Sequence, residues 1–435
     1  MGSLLYKEFK VRGQVMVKEI KEIYELVSEE QLKKYAELAI RVGVNLQENQ
    51  LLIIHSDIKN ANFAHLIQAA AYKAGASNVV MDWTDEQSER KFYLNATDEA
   101  IDQFPNWQDA RFKEWDEAGA AYIHVISENP SVFSDVPKER MSRFQTASRT
   151  KLKAHNVKIR SHEVRWCLLV VPSFEWATKV FPHLSKEEAV QSLWQVILRG
   201  ARADGINPIK NWENHDYAFE SRKTFLNDCQ FDSLHFTNSR GTDLLVRMPK
   251  NHIFIGGGVT DNKGIRFFPN IPTEEIFSAP FKNGVEGKLV ATKPLVYGGS
   301  IIDDVTLTFE EGRITAYDSS TDQETLRGLI ETDEGSHYLG EIALVSSNSP
   351  LAQTDMLFYN TLFDENTACH IGIGNASSSN LQHGGKLTGK ALKEAGLNTS
   401  LLSVNVTFGT KDMKVVGLKE DGTKVLLMQY GEFQF

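Results

Sequence analysis

Three side chains in the second half of the sequence could together bind a divalent cation. Glu275 ends the segment PTEE (272–275), Glu341 is the single acid of YLGEIAL (338–344), and His370 ends ENTACH (365–370). Carboxylate oxygens and imidazole nitrogens are ordinary ligands for zinc, iron, manganese and cobalt. Ligands spread over about a hundred residues are not a recognisable metal motif, so their spacing does not show whether they meet.

Each of the three segments also has an ordinary structural interpretation. Pro272 could begin a helical turn, with acids at the helix N-terminus where they are favourable. Glu341 could be the solvent-facing position of a helix. His370 could be a packed histidine, held on a turn by the glycines of GIG (372–374), which let the backbone come close to a site.

Other common catalytic motifs are absent from the sequence. It contains no HExxH, no GxxxxGK[ST] and no GxSxG, which argues against a helical zinc site, a P-loop and a nucleophile elbow. The run GGG (256–258) is interpreted as a turn rather than a phosphate site. His124, His155 and His162 lack ligand-like spacing, and we expect surface or hydrogen-bonded histidines there.

Composition limits the class of protein. A chain of 435 residues predicts two or three domains. The formal charge of −10 argues against binding to nucleic acid or to an anionic membrane. No apolar run is long enough to span a membrane. Three widely spaced cysteines suggest no disulfide framework and favour the cytoplasm.

The first half of the sequence alternates helix and strand patterns. The apolar run LLIIH (51–55) predicts a buried strand, 60–75 a helix and NVVMDW (78–83) the next strand. This order predicts an α/β domain with a parallel sheet over residues 22–215. Further strands are predicted at 120–127 and 166–173, further helices at 138–153 and 186–201, and a capping box at Ser28 and Gln31.

The second half has hairpin signals instead. In 305–318 a Glu-Gly pair separates two runs in which apolar and polar residues alternate. An Asp-Gly pair separates two such runs in 413–430. We therefore expect an α+β domain with a mainly antiparallel sheet over residues 216–435.

Taken together, these segments resemble the M29 family of metallo-aminopeptidases, the aminopeptidase T type. The likeness covers nearly the whole chain and includes KYAELAIRVGVNLQ (34–47), TKPLVYGGSIIDD (292–304) and FYNTLFDENTACH (358–370). It implies a two-domain homodimer that removes N-terminal residues from peptides with two divalent metals. Such metals share a water, lower its pKa and polarise the scissile carbonyl.

The resemblance also implies six metal ligands: two glutamates, two histidines, a tyrosine and an aspartate. The glutamates correspond to Glu275 and Glu341, and the first histidine to His370. The tyrosine position holds Ser377. In SLLSVNVTFGT (400–410) the second histidine position holds Ser403 and the aspartate position holds Asn405.

Three of the six expected ligands are thus replaced by neutral side chains that bind metals poorly. We interpret the chain as an aminopeptidase-like protein whose site is repurposed for one-metal or metal-independent chemistry on an amino acid or peptide-like molecule. Glu275, Glu341 and His370 would bind one zinc, iron, manganese or cobalt ion, or the substrate amine, while His370 could also transfer a proton. Ser377, Ser403 and Asn405 would contact substrate.

Two alternatives stay open. The chain could be an active two-metal aminopeptidase, with His383 as a replacement ligand. It could also be a non-catalytic dimeric binding protein that keeps these segments for packing.

Overall fold

The computed structural model describes residues 23–127, 129, 132–297, 300–387 and 389–435. The chain divides into two compact units. Unit 1 contains the described residues up to 213 together with 258–272, and unit 2 contains residues 214–257 and 273–435. Each unit has its own sheet and its own core.

Unit 1 is built on a parallel sheet of five strands. Its strand order is β2-β1-β3-β4-β9, and each adjacent pair is parallel. Strands of this kind are covered by helices on both faces, which explains their near-continuous apolar runs. The predicted α/β class with a parallel sheet is confirmed. The strands are β1 (Leu51–Asp57), β2 (Asn78–Thr84), β3 (Ala121–Ile126), β4 (Trp166–Val170) and β9 (Asn270–Ile271).

Among the described residues, five α-helices of unit 1 begin after a residue whose side chain caps the first turn. Ser28 accepts a hydrogen bond from the backbone N–H of Gln31, as predicted. The helix expected over 138–153 is present as Lys138–Lys151, and a further helix that was not predicted follows at Lys153–Arg160. The helices up to the start of unit 2 are α1 (Glu29–Leu38), α2 (Ala61–Lys73), α3 (Glu86–Asn95), α4 (Asp98–Ile101), α5 (Asn106–Glu117), α6 (Lys138–Lys151), α7 (Lys153–Arg160), α8 (Phe174–Val180), α9 (Lys186–Gly200) and α10 (Pro208–Cys229).

Unit 2 contains a large antiparallel sheet of eight strands. Its order is β15-β14-β11-β6-β5-β19-β20-β21, and both predicted hairpins lie in it, as β14–β15 and β19–β20. The strands are β5 (Ser233–Thr237), β6 (Asp243–Arg247), β11 (Val285–Val290), β14 (Thr306–Glu310), β15 (Arg313–Asp318), β19 (Lys414–Leu418), β20 (Lys424–Gln429) and β21 (Glu432–Phe433).

A second antiparallel sheet in unit 2 has the order β10-β16-β17-β18. Its strands are β10 (Ile276–Ser278), β16 (Leu339–Leu344), β17 (His370–Gly374) and β18 (Ser403–Thr407). Side chains alternate between the two faces of a strand. One face contributes Ile342, Ile371, Ile373 and Val406 to the buried apolar core of the unit. The opposite face therefore carries the polar residues Glu341, His370, Ser403 and Asn405.

The remaining elements of unit 2 are short. They are the paired strands β12 (Leu295–Tyr297) and β13 (Ser300–Ile302) and the helices α11 (Gln323–Ile330), α12 (Thr361–Asp364) and α13 (Gly389–Glu394). In unit 1, β7 (Val259–Thr260) pairs with β8 (Arg266–Phe267).

Three local interpretations of the sequence were wrong. PTEE does not begin a helix, because Glu275 directly precedes strand β10. YLGEIAL forms strand β16, so Glu341 is not on a helix. GIG is part of strand β17 rather than a turn. In each case pairing with a distant strand decides the conformation, and such pairing leaves no local signal.

Candidate metal centre

Glu275, Glu341 and His370 come together at one end of the four-stranded sheet. The imidazole Nε2 of His370 lies 3.2 Å from a carboxylate oxygen of Glu275 and 3.4 Å from one of Glu341. One ligand atom from each residue can be chosen so that all lie within 4.8 Å of one another. The sheet register produces this cluster, since His370 pairs with Ala343 and Glu341 pairs with Gly372.

Gly372 keeps the polar face of the sheet open between Glu341 and Asn405. It pairs with Glu341 on one side and with Asn405 on the other. A Cβ atom added here would lie 2.8 Å from Glu341 Cβ and 3.2 Å from Asn405 Oδ1. Both side chains therefore lie on the same face as this missing Cβ.

Gly256 has a similar role behind Glu275. Ile255 and Phe277 exchange backbone hydrogen bonds of 2.8 and 2.9 Å, which brings this strand end against β10. A Cβ on Gly256 would lie 2.2 Å from the carbonyl oxygen of Glu275. The GGG run is thus needed for close backbone approach to Glu275.

The hydrogen bonds of His370 suit a metal ligand. Its Nδ1 lies 3.1 Å from the carbonyl oxygen of Ala368, which can only accept, so Nδ1 carries a hydrogen. In its neutral form the ring would therefore offer the lone pair of Nε2 to a metal, whereas in its protonated form Nε2 carries a hydrogen toward the two carboxylates. Both His370 Nε2 and Glu275 Oε2 are buried atoms with no hydrogen-bond partner among the described residues.

The charges of the cluster balance only if something positive is present. Burial by itself lowers the pKa of His370, but Glu275 and Glu341 outweigh it and hold that pKa well above its usual value. Burial, and then the charge of Glu341, raise the pKa of Glu275 in spite of His370. A proton on His370 or a bound cation would each relieve the two carboxylates. A divalent cation would be neutralised fully by the pair, so the residues fit a metal.

Two further acids next to the cluster were missed in the sequence. Asp364 and Glu365 line the same cavity as Glu275 and Glu341. Burial, followed by the charge of Glu275, raises the pKa of Glu365 well above its usual range. Both acids lie in FYNTLFDENTACH (358–370), and their position five and six residues before His370 was the signal that could have identified them.

The cavity beside the cluster holds two of the three predicted substrate contacts. Its volume is about 410 Å³, and Ser403 and Asn405 line it together with Glu275 and Glu341. Ser377 is not among the lining residues; it is exposed and caps a short turn by accepting a hydrogen bond from the N–H of Ser379. His383 is also exposed, and its backbone is in the left-handed conformation. Apolar residues complete the wall: Pro294, Leu295, Val296, Tyr297, Leu357 and Tyr359 are the main ones.

This two-unit fold, with a cluster of two carboxylates and an imidazole that could hold a metal ion, is compatible with a metal-dependent hydrolase. A family profile described as thermophilic metalloprotease (M29) matches residues 28–433. The chain therefore belongs to the M29 family of metallopeptidases.

Several aminopeptidases are similar in sequence to this chain along nearly its whole length. Aminopeptidase AmpS from Bacillus subtilis is 39% identical over 93% of this chain and 99% of its own. Aminopeptidase T from Thermus thermophilus is 38% identical over 92% of this chain and 98% of its own. These similarities support an aminopeptidase-type protein that uses divalent metal.

One solved structure of a similar aminopeptidase and one of a more distant protein have the fold of this chain. Wild-type AmpT from Thermus thermophilus matches with a TM-score of 0.85 at 36% identity, covering 93% of this chain and 99% of that one. A 2,5-dihydroxypyridine dioxygenase from Pseudomonas putida matches with a TM-score of 0.52 at 13% identity, over 94% of this chain and 98% of its own. The second similarity concerns the fold alone.

Among the described residues, no helix is both long and apolar enough to cross a membrane.

Proposed function

We propose that the chain binds one divalent cation at Glu275, Glu341 and His370 and acts on an amino acid or peptide-like molecule with a free amine. The cation is zinc, iron, manganese or cobalt, which accept mixed oxygen and nitrogen ligands. Unit 2, which corresponds to the C-terminal domain expected over residues 216–435 except for residues 258–272, carries this site.

The chemistry of Ser403 and Asn405, which line the cavity beside the cluster, supports a single cation. A second cation would need charged or imidazole ligands on the open side of the sheet. Ser403 and Asn405 provide only a hydroxyl and a neutral amide there. Neither neutralises metal charge, and a serine hydroxyl is a poor ligand compared with an imidazole.

The residues of the chain divide the work around that cation. When bound, a divalent cation supplies a Lewis acid for a carbonyl oxygen and lowers the pKa of a water. Ser403 and Asn405 orient the substrate by hydrogen bonds, and the apolar wall holds its side chain. Glu365 accepts or donates a proton beside the reacting group. Ser377, on its exposed turn, would contact only an extended substrate.

A second candidate is the two-metal aminopeptidase, and the relatives favour it. Several aminopeptidases are 35–39% identical to this chain over at least 92% of its length. This candidate requires a second cation that is held without a histidine, tyrosine or aspartate at positions 403, 377 and 405, with Asp364 and Glu365 as the remaining acids of the cavity.

Metal content tests the proposal directly. We expect about one equivalent of transition metal per chain by elemental analysis after loading and desalting. His370→Ala should reduce it at least about tenfold, because the imidazole is one of three ligands. His383→Ala is the matched control and should bind as the wild type does.

The other outcomes separate the alternatives. Two equivalents of metal together with release of leucine from a leucine anilide would overturn the one-metal proposal and support the aminopeptidase. No bound metal under any loading, and no substrate-induced rise in melting temperature, would indicate a non-catalytic binding protein.

The cellular compartment, the oligomeric state and the excluded partners are also part of what we propose. We propose a cytoplasmic homodimer that binds neither nucleic acid nor membrane. The unpaired Cys167, Cys229 and Cys369 fit a reducing compartment, and the acidic charge of −10 fits the absence of polyanionic partners. The dimer rests on the family resemblance.

A further inference from the structure

A second cavity lies in unit 1, at the carboxyl ends of the parallel strands. Its volume is about 430 Å³, and the last residues of β1 and β3 line it, including His55, Asp57 and His124. In the sheet, β2 lies on one side of β1 and β3 on the other. The chain therefore reverses its direction of travel between β1 and β3, and open parallel sheets bind ligands at such a switch point.

His55 lines this cavity and has one ring nitrogen without a hydrogen-bond partner among the described residues. It pairs in register with Asp82 on β2 and with His124 on β3, so the three share one face of the sheet. Its Nδ1 lies 2.6 Å from a carboxylate oxygen of Asp82, and its ring stacks on that of His124 at 4.8 Å. Its Nε2 is buried and has no hydrogen-bond partner among the described residues.

His155 repeats this arrangement from helix α7. Its Nδ1 lies 3.0 and 3.1 Å from the two oxygens of Asp116, and it lines the same cavity. Tyr122 donates a hydrogen bond of 2.8 Å to the same carboxylate. In both dyads the aspartate fixes the tautomer, so only Nε2 is available to a ligand.

The charges around the dyads favour a bound anion. Arg111 donates to Asp82 at 2.6 Å and Lys158 lies 4.0 Å from Asp116, so each aspartate already has a cation. Protonating both imidazoles would therefore add two positive charges, of which the Asp57 carboxylate at the same cavity could balance one. The carboxylate of Asp57 accepts from the backbone N–H groups of Lys59 and Glu86, both at 2.9 Å. The charged and titratable groups that face the two imidazoles are Asp57, Asp82, Arg111, Asp116, Tyr122, His124 and Lys158.

The neighbouring groups keep their own charge states. Burial raises the pKa of Asp82, but His55 and Arg111 outweigh it and hold the pKa below the usual range. Burial, followed by the charges of His55 and His155, lowers the pKa of His124 to about 3, so that ring stays neutral.

We propose that this cavity binds a small oxyanion, a phosphate or carboxylate group, through the Nε2–H groups of His55 and His155. An imidazolium whose Nδ1–H is held by aspartate can donate only through Nε2. The geometry does not suit a cation, because the described residues of unit 1 contain no three His, Cys, Asp or Glu side chains that could each place a ligand atom within 4.8 Å of the others.

Calorimetric titration of the metal-depleted full chain with inorganic phosphate, and separately with succinate, tests the proposal near pH 6.5. We expect saturable binding of at least one anion, weakened about tenfold or more in His55→Gln and in His155→Gln, since each loses a charge-assisted hydrogen bond. The exposed His183→Gln is the matched control. His370→Ala should keep the wild-type affinity, which separates this site from the metal centre of unit 2.

The relative affinities identify the source of the anion. Tighter phosphate binding would indicate a phosphorylated ligand, and tighter succinate binding a carboxylate. If a variant fails to fold, imidazole nitrogen NMR of the wild type replaces it: anion addition should shift the Nε2 signals of His55 and His155 and leave His183 unchanged. Absence of binding by both anions, or equal affinity in folded variants, would overturn the proposal.

Discussion

At the scale of single residues, the imidazole of His370 is shared between a backbone carbonyl and two carboxylates. The carbonyl of Ala368 fixes the hydrogen on Nδ1, so a proton and a metal compete for Nε2. Because Glu275 and Glu341 hold the pKa of His370 well above its usual value, a metal bound at the proposed site would have to displace a firmly held proton. Metal affinity should therefore fall as the pH is lowered.

Restoring the family's ligands tests what the replaced residues do. We expect the triple change Ser377→Tyr, Ser403→His and Asn405→Asp to raise metal content from about one to about two equivalents per chain, because it adds a charge, an imidazole and a phenol. Elemental analysis of the loaded, desalted variant gives the number. An unchanged content in a folded variant would mean that these positions do not correspond to the family's ligands.

Asp364 gives a pH dependence of stability. Burial raises its pKa from 3.8 to about 6, although the N–H groups of Phe358 and Asn360 oppose this. Its folded-state pKa exceeds the unfolded one, so the protonated form favours the fold. That contribution is complete below about pH 4 and is lost as the pH rises through 6, a change of about 3 kcal/mol at most.

Asp364→Asn should remove this dependence. Thermal unfolding of the metal-depleted wild type should lose stability relative to the variant between pH 4 and 6, and the difference should stay constant above pH 7. The exposed Asp318→Asn serves as a control. A wild-type-minus-variant difference that is flat across this range would contradict the assignment.

At the scale of elements, three neighbouring strands place the site. Strands β16, β17 and β18 align Glu341, Gly372 and Asn405 in one row. Any side chain on the central strand at this row would fill the space between the other two. The glycine is therefore as necessary to the cavity as the ligands are.

Gly372→Ala should disturb both ligand geometry and packing. Its Cβ would meet Glu341 Cβ at 2.8 Å, and overpacking of this kind costs about 1–3 kcal/mol. We expect a lower melting temperature and at least about tenfold weaker metal binding, measured by titration with zinc. Gly385→Ala, whose Cβ would meet nothing within 4 Å, should change neither.

The sequence predicted local elements better than it predicted the site. The strands and hairpins were predicted correctly because their signals are local. These signals are the apolar runs at 51–55 and 78–83 and the turn pairs in 305–318 and 413–430. Glu341 and Gly372 are 31 positions apart in the sequence and adjacent in the sheet, so their contact depends on strand register. Only the family resemblance connected Glu275, Glu341 and His370, and it gave no indication of Asp364, Glu365 or the cavity at His55.

At the scale of the whole molecule, unit 1 is not continuous in sequence. Residues 258–272 belong to it although unit 2 begins at residue 214. Within this segment β9 pairs with β4, and the carbonyl of Pro269 accepts a 2.8 Å hydrogen bond from Leu168. Phe267 and Ile271 are fully buried there.

A fragment of residues 1–213 should therefore be an incomplete domain. It leaves the edge of β4 unpaired, which favours aggregation. Joining residues 258–272 to it by a flexible linker should raise its melting temperature by about 5 °C or more and reduce light scattering, since two large apolar side chains become buried. Equal behaviour of the two fragments would show that the segment does not stabilise unit 1.

The position of β9 also sets an order of events during translation. Strand β4 ends at Val170, and its partner strand is not complete until Ile271. At ordinary rates of synthesis these residues are separated by roughly 5–20 s. Throughout that interval the nascent chain carries an unfinished sheet while the first strands of unit 2 leave the ribosome, and chaperones have their clearest opportunity to act on it.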